Sequence, residues 1–230
     1  GQAHVFWMEY MGLPVAAEDA VFKREYFRYY DDTEADLNDD NMVESYVLVD
    51  PARTDKVTSD ETAIIGVSNR IGKNQIYIRD VVAGHFLPDA VVNETLSMAR
   101  RIRSGLIGVE VDGLSDWIVQ LFKNAISQSG RNIELVELRS RGVKKEERIR
   151  AMQPYYRQGQ VFHNKSACAP LEGQLLAFPN SVRDDVSDAS SYFVQMLEKG
   201  QRYFSPAQES VHMDGLLKRD PKFESQFRQW

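Results

Sequence analysis

A mixed α/β fold, with a central mixed sheet covered by helices on both faces, is what this sequence predicts. Three observations lead there. After residue 42, β-branched and aromatic runs of strand length alternate with stretches of helical period. Hydrophobic residues make up 43% of the 230 and charged residues 27%, which suits a globular chain with one substantial core. No apolar run approaches the roughly 18–20 residues of a membrane span.

The strands come first. Tyr46 to Val49, Thr62 to Ser68 and Gln75 to Val82 are separated by a Pro/Asp/Ser-rich loop and by a Gly-containing turn at 69–74, the pattern of an antiparallel meander. Residues 89–103 place Val91, Val92, Leu96, Ala99 and Ile102 at helical spacing and end on Arg100, Arg101 and Arg103, a cationic C-terminus. Leu106 to Val111 reads as a buried strand, 117–125 as a helix, 133–138 as a strand and 188–197 as a late helix. Trp117, Phe122, Tyr192 and Phe193 read as core. Ahead of these, Ala17 to Tyr30 reads as a helix. We place the main domain at 42–200, with residues 1–41 before it and 201–230 as a peripheral tail.

The formal net charge is −6, a balance that argues mildly against nucleic acid as a partner. The excess is local. Asp31, Asp32, Glu34, Asp36, Asp39 and Asp40 share one stretch without a base, and removing those six from the 34 acids leaves 28, equal to the 28 bases. The stretch reads as a solvated linker. The single cysteine, Cys168, forms no internal disulfide and suits a reducing compartment. The first residues lack a charged-then-apolar leader pattern. Four histidines (His4, His85, His163, His212) and one cysteine give no zinc spacing, and His163 reads as a surface residue in a hairpin.

Three groups of acids sit at the ends of regular elements. Asp50 ends the strand 46–49. Glu110 and Asp112 close the strand 106–109, two residues apart and so on one face. Asp184, Asp185 and Asp188 open the late helix at spacings that bring side chains together. Singly, an Asp after a strand is a common turn former and an Asp before a helix a common cap. Converged, carboxylates repel and take up protons unless a cation lies between them. An all-oxygen set selects Mg²⁺ or Mn²⁺, and two such ions about 3.5–4 Å apart hydrolyse phosphodiesters.

These motifs resemble the C-terminal nuclease domain of the large terminase subunit of tailed bacteriophages, over nearly the whole chain. The run from Tyr46 through Asp50 to Ala52, followed by Ser59, Asp60 and Ile64, is similar to that family's first catalytic strand and the opening of its second. Ile107 to Gly113 resembles its second acidic motif, and Asp184 to Ala189 its third. Lys144 to Ile149, Pro154 to Phe162 and Leu171 to Pro179 follow in the family's order. The resemblance implies a ribonuclease H-like fold and an endonuclease that cuts concatemeric double-stranded viral DNA with two Mg²⁺ or Mn²⁺ ions. By position it implies Asp50, Glu110 and Asp185 as first-choice ligands, with Asp184, Asp188, Asp112 and Asp60 as a second group. Residues 1–41 then correspond to the end of an ATPase domain plus the acidic linker. A portal protein and the small terminase subunit are implied as partners, the host cytoplasm as the location, and no membrane. No G-x-x-x-x-G-K-[ST] stretch occurs, so ATP phosphates have no P-loop here.

Arg139, Arg141, Lys144, Lys145 and Arg148 form a local basic run opposed only by Glu146 and Glu147, able to meet DNA phosphates or to form a solvated, internally paired helix face. Other readings of the whole are another nuclease of the same fold, acting on junctions or RNA strands, or a docking module whose acids are structural.

Overall fold

A computed structural model describes residues 20–31, 36–38, 43–52, 61–70, 72–112 and 116–203, with side chains described for all of these except 116–117 and 198–203. The expectations for Ala17 to Asp19, for most of the acidic stretch, for Asp60 and Trp117, and for the tail beyond 203 lie outside them. The chain divides into two units, Gly1–Met196 and Leu197–Trp230, and the sheet with its clustered acids belongs to the first.

Seven strands form one mixed sheet: β1 (Arg28–Tyr30), β2 (Val43–Asp50), β3 (Thr62–Arg70), β4 (Gln75–Gly84), β5 (Leu106–Glu110), β6 (Glu134–Leu138) and β7 (Val161–Asn164). Their order across the sheet is β1-β7-β4-β3-β2-β5-β6. β2, β3 and β4 are the expected antiparallel meander. Its second turn uses Gly72 and Asn74, both at positive φ. From β2 outward, β5 and β6 add in parallel, each reached through a helix as parallel crossovers require. These helices are α1 (Pro88–Arg101) and α2 (Asp116–Ser129). Proline occupies the first turn of α1, and Arg103 in the left-handed region follows its end.

Strand alternation divides the two faces. Val47, Val49, Ile107 and Val109 point into a core completed by Val91, Val92, Met98 and Ala99 of α1 and Ile118 and Phe122 of α2. On the opposite face Tyr46, Leu48 and Asp50 alternate with them. That face receives α6 (Asp185–Tyr203), which follows α3 (Lys145–Arg150), α4 (Gln153–Arg157) and α5 (Ala169–Ala177).

Three expectations are corrected. Residues 20–30 are not helical: a single 3₁₀ turn at Arg24–Tyr26 leads into β1. Phe22 and Phe27 stand edge-on to Tyr156 at ring distances of 5.3 and 5.8 Å, and β1 pairs in parallel with β7, so tertiary partners override local periodicity. β7 is likewise no hairpin arm, since it runs parallel to both β1 and β4. His163 on it is fully buried rather than superficial. Its Nδ1 lies 2.9 Å from Glu172 Oε1 and its Nε2 2.9 Å from the Tyr156 hydroxyl, so both ring nitrogens are partnered.

In the acidic stretch, Leu37 is buried, and the carbonyls of Asp36, Leu37 and Asn38 accept hydrogen bonds from Arg70, Arg79 and Arg103. Leu37 is anchored there, while Asp36 and Asn38 remain exposed. No helix among the described residues is long and apolar enough to cross a membrane.

Candidate metal centre

Asp50 and Glu110 are the last residues of β2 and β5, neighbouring parallel strands in which Val49 pairs with Val109. The next residue on each strand is the acid, so both carboxylates leave the sheet together at its C-terminal edge, where open α/β sheets place ligands. Gly108, two residues before Glu110, sits where a Cβ would lie 2.8 Å from Leu138 Cδ1 and 3.5 Å from Leu48, so any larger residue would displace the Leu138 side chain.

The third carboxylate is that of Asp188. Residues 185–193 of α6 are all buried, and the positions flanking Asp188 are small: Ser187, Ala189, Ser190 and Ser191. Ser190 and Ser191 return their hydroxyls to the carbonyls of Val186 and Asp188, which satisfies them inside the protein. Small, self-satisfied side chains let this helix sit deep in the fold. One oxygen each from Asp50, Glu110 and Asp188 then lie within 4.8 Å of one another.

Burial, first, and the neighbouring carboxylates of Glu110 and Asp188 push the Asp50 pKa well above the ordinary aspartate value. Burial also raises Asp188, to about 6, against the opposing pull of Arg148 and Lys145. Tyr192, one turn beyond Asp188, has a buried hydroxyl near Glu110 without well-formed hydrogen-bond geometry; burial and the Glu110 charge raise its pKa.

The other predicted acids are placed differently. Asp185 Oδ2 accepts the Glu61 backbone N–H at 3.2 Å, and its Oδ1 lies 3.5 Å from Lys145 Nζ. Asp184 pairs with Lys145 at 2.6 Å. β5 ends at Glu110, so strand alternation does not carry on to Asp112. Asp112 instead accepts both the backbone N–H and the hydroxyl of Ser140, at 2.6 and 2.5 Å, and these bonds lower its pKa.

The basic run divides as well. Arg139 is exposed and pairs with Glu137, while Arg141 and Lys144 are also exposed. Lys145 and Arg148 turn inward. Lys145 reaches Asp184, Asp185 and, at 3.7 Å, Asp188, and Arg148 clasps Asp188. Burial alone would lower the Lys145 pKa, but the aspartates raise it. This role was open to detection: Lys145 and Arg148 are three apart on one helix, as are Asp185 and Asp188 on another, so two bases match two acids.

The fold built in this way is similar to the ribonuclease H-like fold of solved nuclease domains, and in particular to those of terminase large subunits. The nuclease domain of the P22 large terminase superposes with a TM-score of 0.55 at 14% identity, covering 78% of this chain and 92% of that one. The human cytomegalovirus terminase nuclease domain, Mn-soaked and inhibitor-bound, gives 0.54 at 12% identity, covering 77% and 95%. The large terminase of a thermophilic bacteriophage gives 0.52 at 10%, covering 77% of this chain and 43% of the phage protein. No family model and no curated protein sequence matches the chain.

The donor set suits a hard divalent cation. All three donors are carboxylate oxygens from three separate elements, and their mutual repulsion with burial raises the Asp50 pKa.

Proposed function

We propose that this protein is a divalent-metal-dependent DNA endonuclease of viral genome packaging, cutting concatemeric double-stranded DNA by phosphodiester hydrolysis. The observation that carries the reading is the approach of Asp50, Glu110 and Asp188 oxygens to within 4.8 Å at the C-terminal edge of this sheet. These three would hold Mg²⁺ or Mn²⁺, with Asp185 and Asp184 behind them, tied to Lys145. Two bound ions supply an attacking hydroxide and stabilise the leaving oxygen. Arg139, Arg141 and Lys144, exposed on the segment that Asp112 anchors through Ser140, would meet the phosphate backbone. In this reading the chain works alongside an ATPase domain, a portal protein and a small terminase subunit in the host cytoplasm.

The test is Mn²⁺-dependent nicking of plasmid DNA, alongside four-way junction and RNA/DNA hybrid substrates. Asp50→Asn and Glu110→Gln should each abolish cutting of the plasmid while circular dichroism stays native. Wild-type-like cutting by both variants would refute the assignment. A preference of the wild type for junctions or hybrids would move the protein to another nuclease of this fold.

A further inference from the structure

Arg148 belongs by sequence to a basic run suited to DNA phosphates, but its contacts point inward. Nη2 donates to both Asp188 oxygens at 2.6 Å, Nε donates to Oδ1 at 3.1 Å, and Nη1 donates to the Val143 carbonyl at 3.0 Å. The guanidinium carbon lies 5.2 Å from the Tyr192 ring centroid, and the side chain is only 14% exposed. All three guanidinium nitrogens are therefore engaged within the protein, and the flat faces of the group are constrained by an aromatic ring.

We propose that Arg148 is a positioning residue of the metal centre, fixing the Asp188 carboxylate in the orientation from which it meets the cation shared with Asp50 and Glu110. The inference rests on the reading of Asp188 as an ion ligand. A carboxylate offers about four lone-pair directions. Arg148 binds Oδ1 through Nε and Nη2 and Oδ2 through Nη2 alone, which fixes the carboxylate plane and leaves Oδ2, 3.7 Å from Lys145 Nζ, the less occupied oxygen. Asp188 is 5% exposed, so bulk solvent has little access to its carboxylate. The fork geometry matters as much as the charge: Lys145, the other cation at the site, is a point charge spread over Asp184, Asp185 and Asp188 and cannot set the rotation of any one of them. Partners that hold a ligand in place govern metal affinity in many sites.

The experiment separates this role from DNA contact. Mn²⁺ alone is titrated into the 230-residue chain by calorimetry and electron paramagnetic resonance, and duplex DNA affinity is read by fluorescence anisotropy in EDTA. Arg148→Gln should weaken Mn²⁺ binding about 10- to 100-fold and leave DNA affinity unchanged. Lys144→Gln should do the reverse. Arg148→Lys, which keeps the charge and loses the fork, should fall between wild type and Arg148→Gln. In cleavage assays the Mn²⁺ concentration for half-maximal rate should rise while KM for DNA holds.

A folded Arg148→Gln chain that binds Mn²⁺ as tightly as wild type, or more tightly, overturns the proposal. So does loss of DNA affinity with Mn²⁺ affinity intact. If the melting curve shows that Arg148→Gln does not fold, Arg148→Lys decides, because it still covers the buried carboxylate with a cation: wild-type Mn²⁺ affinity in that variant overturns the proposal. A wild-type chain that takes up no Mn²⁺ is a different outcome, and it refutes the metal centre itself.

Discussion

Asp50 and Glu110 end adjacent parallel strands, and a carboxylate oxygen of each lies within 4.8 Å of the other. Burial and the charges of Glu110 and Asp188 raise the Asp50 pKa, so its ionised form is costly here. The site is thus strained by charge until a cation arrives, and that strain is measurable in the protein without metal.

Asp50→Asn should stabilise the metal-free chain at pH 8. A carboxyl whose pKa is raised by folding is costly wherever the unfolded group is ionised, so removing it helps at high pH. The gain should vanish below about pH 4, where the unfolded carboxyl is protonated too. Thermal melting in EDTA reads it, at about 2–4 °C for each kcal/mol relieved in a chain of this size. A lower melting temperature for the variant at pH 8 would contradict the electrostatic account.

Mn²⁺ affinity should fall as pH drops through 6. Asp188 titrates at about 6 in the folded protein, above the ordinary aspartate value, and a cation must displace that proton below it. The loss should be about tenfold per pH unit for each proton displaced, with proton release visible as a buffer-dependent heat. Metal-free stability should move the opposite way, falling as pH rises from about 4 to 6, because the folded state holds more protons in that window. Affinity that stays flat from pH 7 to 5 would exclude Asp188 as a ligand.

His163→Leu should destabilise the fold and spare the metal centre. It removes the partner of the buried Tyr156 hydroxyl and of one Glu172 oxygen, at about 1–3 kcal/mol for each polar group left unmet. β7 lies three strands from β2, about 14 Å at the usual strand spacing. Urea unfolding should register the loss, and Mn²⁺ titration should register none.

The sequence conveys the meander, α1, α2 and the acids at the strand ends because each depends on local period and punctuation. It conveys less about contacts between distant short segments. β1 and β7 are three and four residues long; β1 exists because β7 is there to pair with it, and β7 because it docks between β1 and β4. The same holds for the third acid. Helical spacing gathers Asp184, Asp185 and Asp188, but which of them stands beside Asp50 depends on where α6 meets the sheet, and small residues around Asp188 decide it. Lys145 and Arg148 read as open charge because a linear sequence shows that a base is present and hides what it faces.

The pairing of β1 with β7 also bears on how the molecule survives in solution. β7 is bonded to β4 on one side, and on the other its backbone amides and carbonyls are occupied by residues 28–30. A chain begun at residue 42, the boundary that composition suggests, would keep every carboxylate of the centre. It would also present an unpaired strand end to end, the kind of edge on which chains stack into aggregates. The stretch before β2 therefore covers the outer edge of β7, and a chain begun at residue 42 is expected to associate more readily than the longer one.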